Sequence, residues 1–343
     1  MCNSTWFPIS IRLALLATAF CALPTRGGQI AELVRAFQDN PAYVAPFATL
    51  YGSMSNSGWY QSAAVPKGFG LYLGFPMNIT RISDEDRSFK ATYVDSVCMN
   101  YRATSPPSTC REVTKFTTPT IFGGDHAPIV LTSNLDTNGQ IVDTQKDTVG
   151  ISDGLKSFLV YNWFPFGAPQ FGISWKYTEV KLRYIGLPLS TFSFSMPGIG
   201  IQHDFASFLP RFLPKLPINI SAAANFTWLS GELKPGGDVS GTMELTGFSH
   251  FLGLLVGYTY GGWAEAFLEA GWEGASLHGK GDMIIDPTSA SPENISVDMT
   301  LDGRNTFRAA LNVAIHFGYD AVLGQNFGSE FGNQLNLLGF KLK

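Results

Sequence analysis

The chain carries little charge. Only 15% of its 343 residues are Asp, Glu, Lys or Arg, where soluble domains usually hold about a quarter. Net charge is −4 and no basic patch runs along any segment. Nucleic-acid binding therefore has no electrostatic footing. Long apolar runs are also missing. After Leu23 no unbroken apolar stretch reaches the roughly 18 residues a spanning helix needs. The five histidines, His126, His203, His250, His278 and His316, form no H-E-x-x-H and no two-His cluster, so metal binding is unsupported. No Walker loop or G-x-G-x-x-G fingerprint occurs, and Gly247-Phe248-Ser249-His250 echoes only part of a nucleophile elbow. The sequence offers no cofactor site and no reason to expect an enzyme.

Cysteine is scarce too, with four in all. Cys2 and Cys21 fall in an N-terminal segment that reads as an export signal. There Arg12 precedes the apolar stretch Leu13–Leu23. About eleven residues suit a signal core and are too few to cross a bilayer. Cys98 and Cys110 remain, bracketing Pro106-Pro107. In an oxidising compartment they are expected to pair. Free thiols are the alternative.

What is plentiful is glycine (36) and phenylalanine (27), with mean hydropathy near zero. Barrel strands give this intermediate value, because each has one lipid-facing and one water-facing side. The alternation itself is visible. Ile218, Ile220, Ala222, Ala224, Phe226 and Trp228 alternate with Asn219, Ser221, Asn225 and Thr227. Phe307, Ala309, Leu311, Val313 and Ile315 alternate with Arg308, Asn312 and His316. Candidate strands lie near 69–79, 88–98, 158–164, 171–178, 179–187, 191–203, 217–230, 238–249, 251–260, 263–275, 277–285, 294–302, 305–319 and 333–342. Aromatics gather toward run ends, at Trp163, Trp175, Tyr177, Tyr258, Tyr260, Trp263 and Trp272, in the manner of interfacial girdles. Gly261-Gly262 suggests a tight turn. Leu338, Phe340 and Leu342 alternate to the end, like a closing barrel strand read by the barrel-assembly machinery, although the last residue is Lys343.

Residues 29–39 carry apolar positions at helical spacing, and Asn40-Pro41 is expected to end that helix. Residues 99–156 are rich in Pro, Thr, Asp and Gly and read as long loops or an inward-folded segment. Residues 205–217 hold too many prolines for a strand and read as a surface connector, a lumen constriction or a plain loop.

Three stretches together carry a resemblance. They are Asn56-Ser57-Gly58-Trp59-Tyr60-Gln61-Ser62-Ala63, then Ala168-Pro169-Gln170-Phe171-Gly172-Ile173 with Thr178–Tyr184, then Gly200-Ile201-Gln202-His203-Asp204 with Leu216-Pro217-Ile218. In this order they resemble an uncharacterised family of predicted outer-membrane proteins found mainly in Bacteroidetes-type bacteria. Asn40-Pro41-Ala42, after a short N-terminal helix, is similar at greater distance to long-chain fatty-acid and toluene transporters of the outer membrane. That likeness implies a hatch inside the lumen, with Asn40 and Pro41 as candidate plug residues, and a route for a hydrophobic small molecule.

Glu265, Glu269 and Glu273 are four residues apart, so on a strand they share one face at about 13 Å spacing. That is too far for a shared-proton pair. They read as a lumen lining that repels anions, or as ordinary wet-face residues. Lys176, Lys181 and Arg183 are candidates for an opposing basic stripe that would set a transverse field. Arg308 and His316 complete the candidate lumen lining.

The expectation is an all-β protein, a transmembrane antiparallel β-barrel of about 12 strands (range about 10–14) with an N-terminal helix or plug. Residues 1–27 form the signal, 28–64 the helix and possible plug, and 65–343 the barrel with long loops at 99–156. It is expected in the bacterial outer membrane, in contact with its lipid, as a passive channel or uptake protein. A structural or adhesive barrel without transport is the alternative, and a soluble secreted β-sandwich a third.

Overall fold

The computed structural model describes residues 41–93, 113–123, 127–135, 141–149, 163–188, 192–205, 218–234, 239–261, 263–285, 292–316, 320–327 and 334–342. The signal segment, the helix expected over 29–39, Asn40, Cys98, Cys110 and residues 206–217 lie outside the described residues.

Among these residues the fold is mostly antiparallel β with a single α-helix, α1 (Pro41–Asn56). The strands are β1 (Gly70–Arg81), β2 (Ser88–Tyr93), β3 (Val113–Pro119), β4 (Ala127–Leu135), β5 (Ile141–Val149), β6 (Trp163–Gly167), β7 (Gln170–Trp175), β8 (Thr178–Pro188), β9 (Phe192–Asp204), β10 (Ile218–Leu233), β11 (Val239–Tyr260), β12 (Ala264–Ile285), β13 (Glu293–Asp302), β14 (Thr306–His316), β15 (Asp320–Phe327) and β16 (Gln334–Leu342). One 12-stranded sheet runs β15-β14-β12-β11-β10-β9-β8-β7-β1-β16, with β13 also on β12 and β6 also on β1. The sheet curls, and its end strands β15 and β16 come to lie close together. The alternating sequence pattern predicts this kind of sheet.

Two expectations are corrected, and one element is added. Pro41 opens α1; the helix expected over 29–39, with its stop at Asn40-Pro41, lies outside the described residues. Proline fits the first helical turn, where its missing N–H would have had no partner anyway. Residues 99–156 are not only loops, because β3 pairs with β2 and β4 with β5 in two small separate sheets. The candidate strands 238–249 and 251–260 are one strand of 22 residues, and so are 263–275 and 277–285.

That last correction has a physical reason. Along β11 the odd positions from Met243 onward face inward, but the chemistry of the two faces exchanges. From Phe248 to Tyr260 the outward residues are apolar or aromatic and exposed (Phe248, Leu252, Leu254, Val256, Tyr258 and Tyr260), with half-buried His250 among them. From Thr242 to Thr246 the outward residues are polar, and inward Met243 is buried with Met283, Ile295 and Val297. β12 exchanges at the same level. Outward Leu268 and Trp272 are exposed and apolar, while outward His278, Lys280 and Asp282 are polar. β10 follows, with Trp228 outward and then Ser230 and Glu232. The backbone ladder continues across the exchange, with Phe248 opposite Ser276 and Thr246 opposite His278.

The exposed apolar belt continues around the sheet. It takes in Leu71 and Leu73 of β1, Phe171 and Ile173 of β7, Val180 and Leu182 of β8, and Leu311 and Val313 of β14. Two aromatic rows bound it. One contains Tyr184, Trp228, Phe248, Trp272 and Phe307, in which Trp228 stands directly opposite Phe248 with ring centres 5.9 Å apart. The other lies at the short turns and contains Trp175, Tyr258, Tyr260 and Trp263. No described helix is long and apolar enough to cross a membrane.

Candidate functional site

The buried face of this sheet is charged. Glu179, Lys181, Arg183, Asp204, Glu265, Glu269, Glu273 and Arg308 are all nearly inaccessible to solvent. Charges leave water only when paired. Their partners are one another and the inner segment, α1 with the stretch Ser57–Pro66, which runs along the concave side of the sheet.

α1 is buried on nearly every side. Along its length Tyr43, Val44, Leu50 and Met54 pack with Phe122, Phe164, Met196 and Leu277. At its end the chemistry becomes polar, because the last carbonyls of a helix lack intrahelical donors and carry partial negative charge. The sheet supplies cations there. Arg183 donates from Nη1 to the Ser55 carbonyl at 3.2 Å. Arg308 donates from Nη2 to the Asn56 carbonyl at 3.3 Å. Lys181 Nζ donates to the Trp59 carbonyl at 2.8 Å, to Gln61 Oε1 at 2.7 Å and to Glu179 at 3.1 Å.

Arg308 also binds two carboxylates, Glu269 and Glu273, the latter at 3.1 Å. It thereby bridges two members of the glutamate row. The third, Glu265, accepts from Ser62 Oγ at 2.5 Å and from the Ala63 amide at 2.9 Å. The Arg308 guanidinium lies 4.5 Å from the centre of the Phe251 ring.

Trp59 is the centre of the arrangement. Arg183 packs on its indole at 4.2 Å, and its Nε1 donates to the Ser55 carbonyl at 2.7 Å. The ring lies against Gly198 and Gly200 of β9. A Cβ on Gly200 would sit 2.6 Å from the indole, so these glycines make room for a side chain; sheet curvature alone does not account for them. Around Trp59, Gln170 donates to its carbonyl at 3.0 Å. Gln202 donates to the Ser62 carbonyl at 2.9 Å, and Asp204 accepts from the Val65 amide at 3.3 Å. Ser55 and Ser249 hydroxyls are 2.6 Å apart. Burial pushes the Tyr60 phenol well above its usual range, and the Glu269 charge adds to the rise. Tyr60 therefore stays neutral.

The structure brings together Glu265, Glu269, Glu273, Lys181, Arg183 and Arg308 on the inner face, all against the inner segment. Lys176 is elsewhere. It occupies the β7–β8 turn with φ of 46°, followed by Tyr177 at 66°, and packs on Trp175 at 4.3 Å. Trp175 pairs with Thr178, so this is a two-residue hairpin turn of the kind with two positive φ angles. His316 ends β14 opposite Asp320, and its side chain lies outside the described ones. Sequence reasoning passed over Trp59, Gln170, Gln202, Asp204 and Ser249 as site residues. The signal was present for the first four, which all fall inside the three stretches quoted for the family resemblance. Those stretches converge on one place. Among the described residues no group of three or more His, Cys, Asp or Glu is placed to hold a metal.

Fold and site together define a curled antiparallel β protein, apolar outside and charged inside, wrapped around its own N-terminal segment. The chain belongs to the family of unknown function DUF6588, which it matches over residues 9–343. No curated protein matches it.

Proposed function

We propose that the protein is an outer-membrane β-barrel plugged by residues 41–66 that admits a hydrophobic small molecule. The observation that carries the membrane reading is the exchange of faces along β10, β11 and β12. In water an exposed belt of Leu, Val, Phe and Trp over charged residues is unfavourable; in lipid it is the expected order. From Phe248 to Tyr258 the belt measures about 34 Å along the strand, or roughly 26 Å in a strand tilted by about 40°, close to the apolar height of such barrels. The proximity of β15 and β16 supports closure of the sheet.

Two features support a hydrophobic solute over a small polar one. The charged half of the interior is filled by the inner segment, which leaves its ions paired. The other half is apolar, lined by α1 with Phe164, Phe166, Ile185, Phe194 and Met196. Beside it the sheet divides. Among the described residues the β8 ladder with β7 ends at Arg183, the Tyr184 amide still donates to the Pro169 carbonyl at 3.4 Å, and Ile185–Pro188 pair with β9, while β6 stays with β1. That division is where we place a lateral route for an apolar molecule toward the apolar cluster packed around α1.

A second reading has its own support. The matched set Arg308, Glu269 and Glu273 suits a permanently filled barrel that anchors surface structure without transport. The test has two stages. First, the outer-membrane fraction is run on SDS gels with and without boiling, and a faster unboiled band is expected. A soluble protein with no shift would overturn the membrane reading. Second, the protein is reconstituted into vesicles and uptake of a fluorescent fatty acid is followed. Uptake above protein-free vesicles is expected, and a folded protein without it would favour the anchoring role.

A further inference from the structure

Just past the aromatic row, the outward face of β8 to β11 is unusually bare. Residues there line an open trough of about 640 Å³. Its floor is one transverse rung of the ladder, Gly186, Ser195, Ser230 and Thr246, each opposite the next. The next rung is Ser193, Glu232 and Glu244. Below the floor stand the exposed rings of Tyr184, Trp228 and Phe248. A Cβ on Gly186 would lie 2.6 Å from the Tyr184 hydroxyl, so that hydroxyl reaches up toward the floor.

We propose that this trough binds the sugar headgroup of a glycolipid anchored in the adjoining membrane leaflet. The proposal rests on the membrane reading above. Level is the first argument. The Ser230–Thr246 rung is two residues beyond Trp228–Phe248, about 7 Å past the apolar belt, where a headgroup lies when its chains lie against Leu252 and Leu254. Chemistry is the second. A sugar ring has an apolar C–H face and a polar edge. Aromatic rings accept the face, while serine and threonine hydroxyls and glutamate oxygens match the edge.

Charge is the third argument, and it disfavours a phosphate. Glu232 and Glu244 stand directly opposite each other on the same face, an arrangement that costs stability. The Lys234 ammonium is engaged with Glu232 at 2.8 Å. Hydroxyl donors relieve two facing carboxylates, and an anion does not. Farther along the same wet surface β12 and β13 carry Lys280, Asp282 and Asp298. Gly186, Ser195, Ser230 and Thr246 are the small residues that follow one another across four strands at the trough.

The experiment places the full chain in phosphatidylcholine nanodiscs doped in turn with digalactosyl diacylglycerol and with phosphatidylglycerol. Retained lipid is counted by native mass spectrometry, and the unboiled gel band is read on the same sample. The expected result is selective retention of the galactolipid. Ser195→Arg and Ser230→Arg, which fill the trough from the outside, should lower it about tenfold, the loss of one good hydrogen bond. Equal retention of both lipids, or retention unchanged by either substitution, in a protein that shows the folded band would overturn the sugar site alone. A protein that does not enter the discs would overturn this proposal together with the membrane reading.

Discussion

Arg183 lies 4.2 Å from the centre of the Trp59 indole, and the same ring rests against a pair of glycines, Gly198 and Gly200. The ring therefore fills a slot with no spare depth. Gly200→Ala is expected to push Trp59 outward at a cost of about 1–3 kcal/mol, as overpacking does. The temperature at which the fast gel band converts to the slow one should fall. Gly172→Ala, whose nearest contact is the Lys181 Cγ at 3.0 Å rather than an aromatic ring at 2.6 Å, should cost less.

Arg308 holds two buried carboxylates at once. Arg308→Met leaves Glu269 and Glu273 without their cation and is expected to lose about 3–5 kcal/mol in urea unfolding. Adding Glu269→Gln and Glu273→Gln to the same chain should recover most of the loss, because amides need no counter-charge. An unrecovered triple variant would show that the arginine acts through the Asn56 carbonyl instead.

The exchange of faces is tested by one residue type at two heights. Leu254→Arg in the middle of the belt should cost about 2–4 kcal/mol of folding in lipid. Thr246→Arg, outward on the same strand beyond the aromatic row, should change stability by no more than about 0.5 kcal/mol. Equal effects at both positions would place both in the same solvent.

Whether the inner segment moves is decided by tying it down. The Ser55 and Ser249 hydroxyls are 2.6 Å apart, so Ser55→Cys with Ser249→Cys should form a disulfide between α1 and β11. In the oxidised form fatty-acid uptake should stop, and reductant should restore it. Undiminished uptake with the bond closed would assign the segment a fixed role.

The period of two was legible from residue order, and so were the common face of Glu265, Glu269 and Glu273 and the turn at Gly261. Strand limits near Ser249 and Ala275 were misplaced for a physical reason. There the apolar set changes faces without any change in backbone, and a pattern of apolarity alone reads such a change as an end. α1 was hidden because Pro41 and Pro46 look like breakers and because a helix buried all round has no polar stripe. The Trp59 socket was hidden by distance. Its walls, Arg183, Gly198 and Gly200, lie some 120 to 140 positions along the chain from it, and no local pattern announces that they meet.

The same separation dictates the order of assembly. Residues 41–66 leave the ribosome before any strand that encloses them, yet Arg308, which grips their helix end, belongs to β14, near the finish of the chain. Closing a loop of that length is entropically costly until its contacts form. The sheet is therefore expected to close around a segment already lying in place, as a wall is raised around its own central post. A chain shortened by those residues would then expose a charged inner wall at the moment of closure, and the defect would show in how fast it folds before it shows in how stable it becomes.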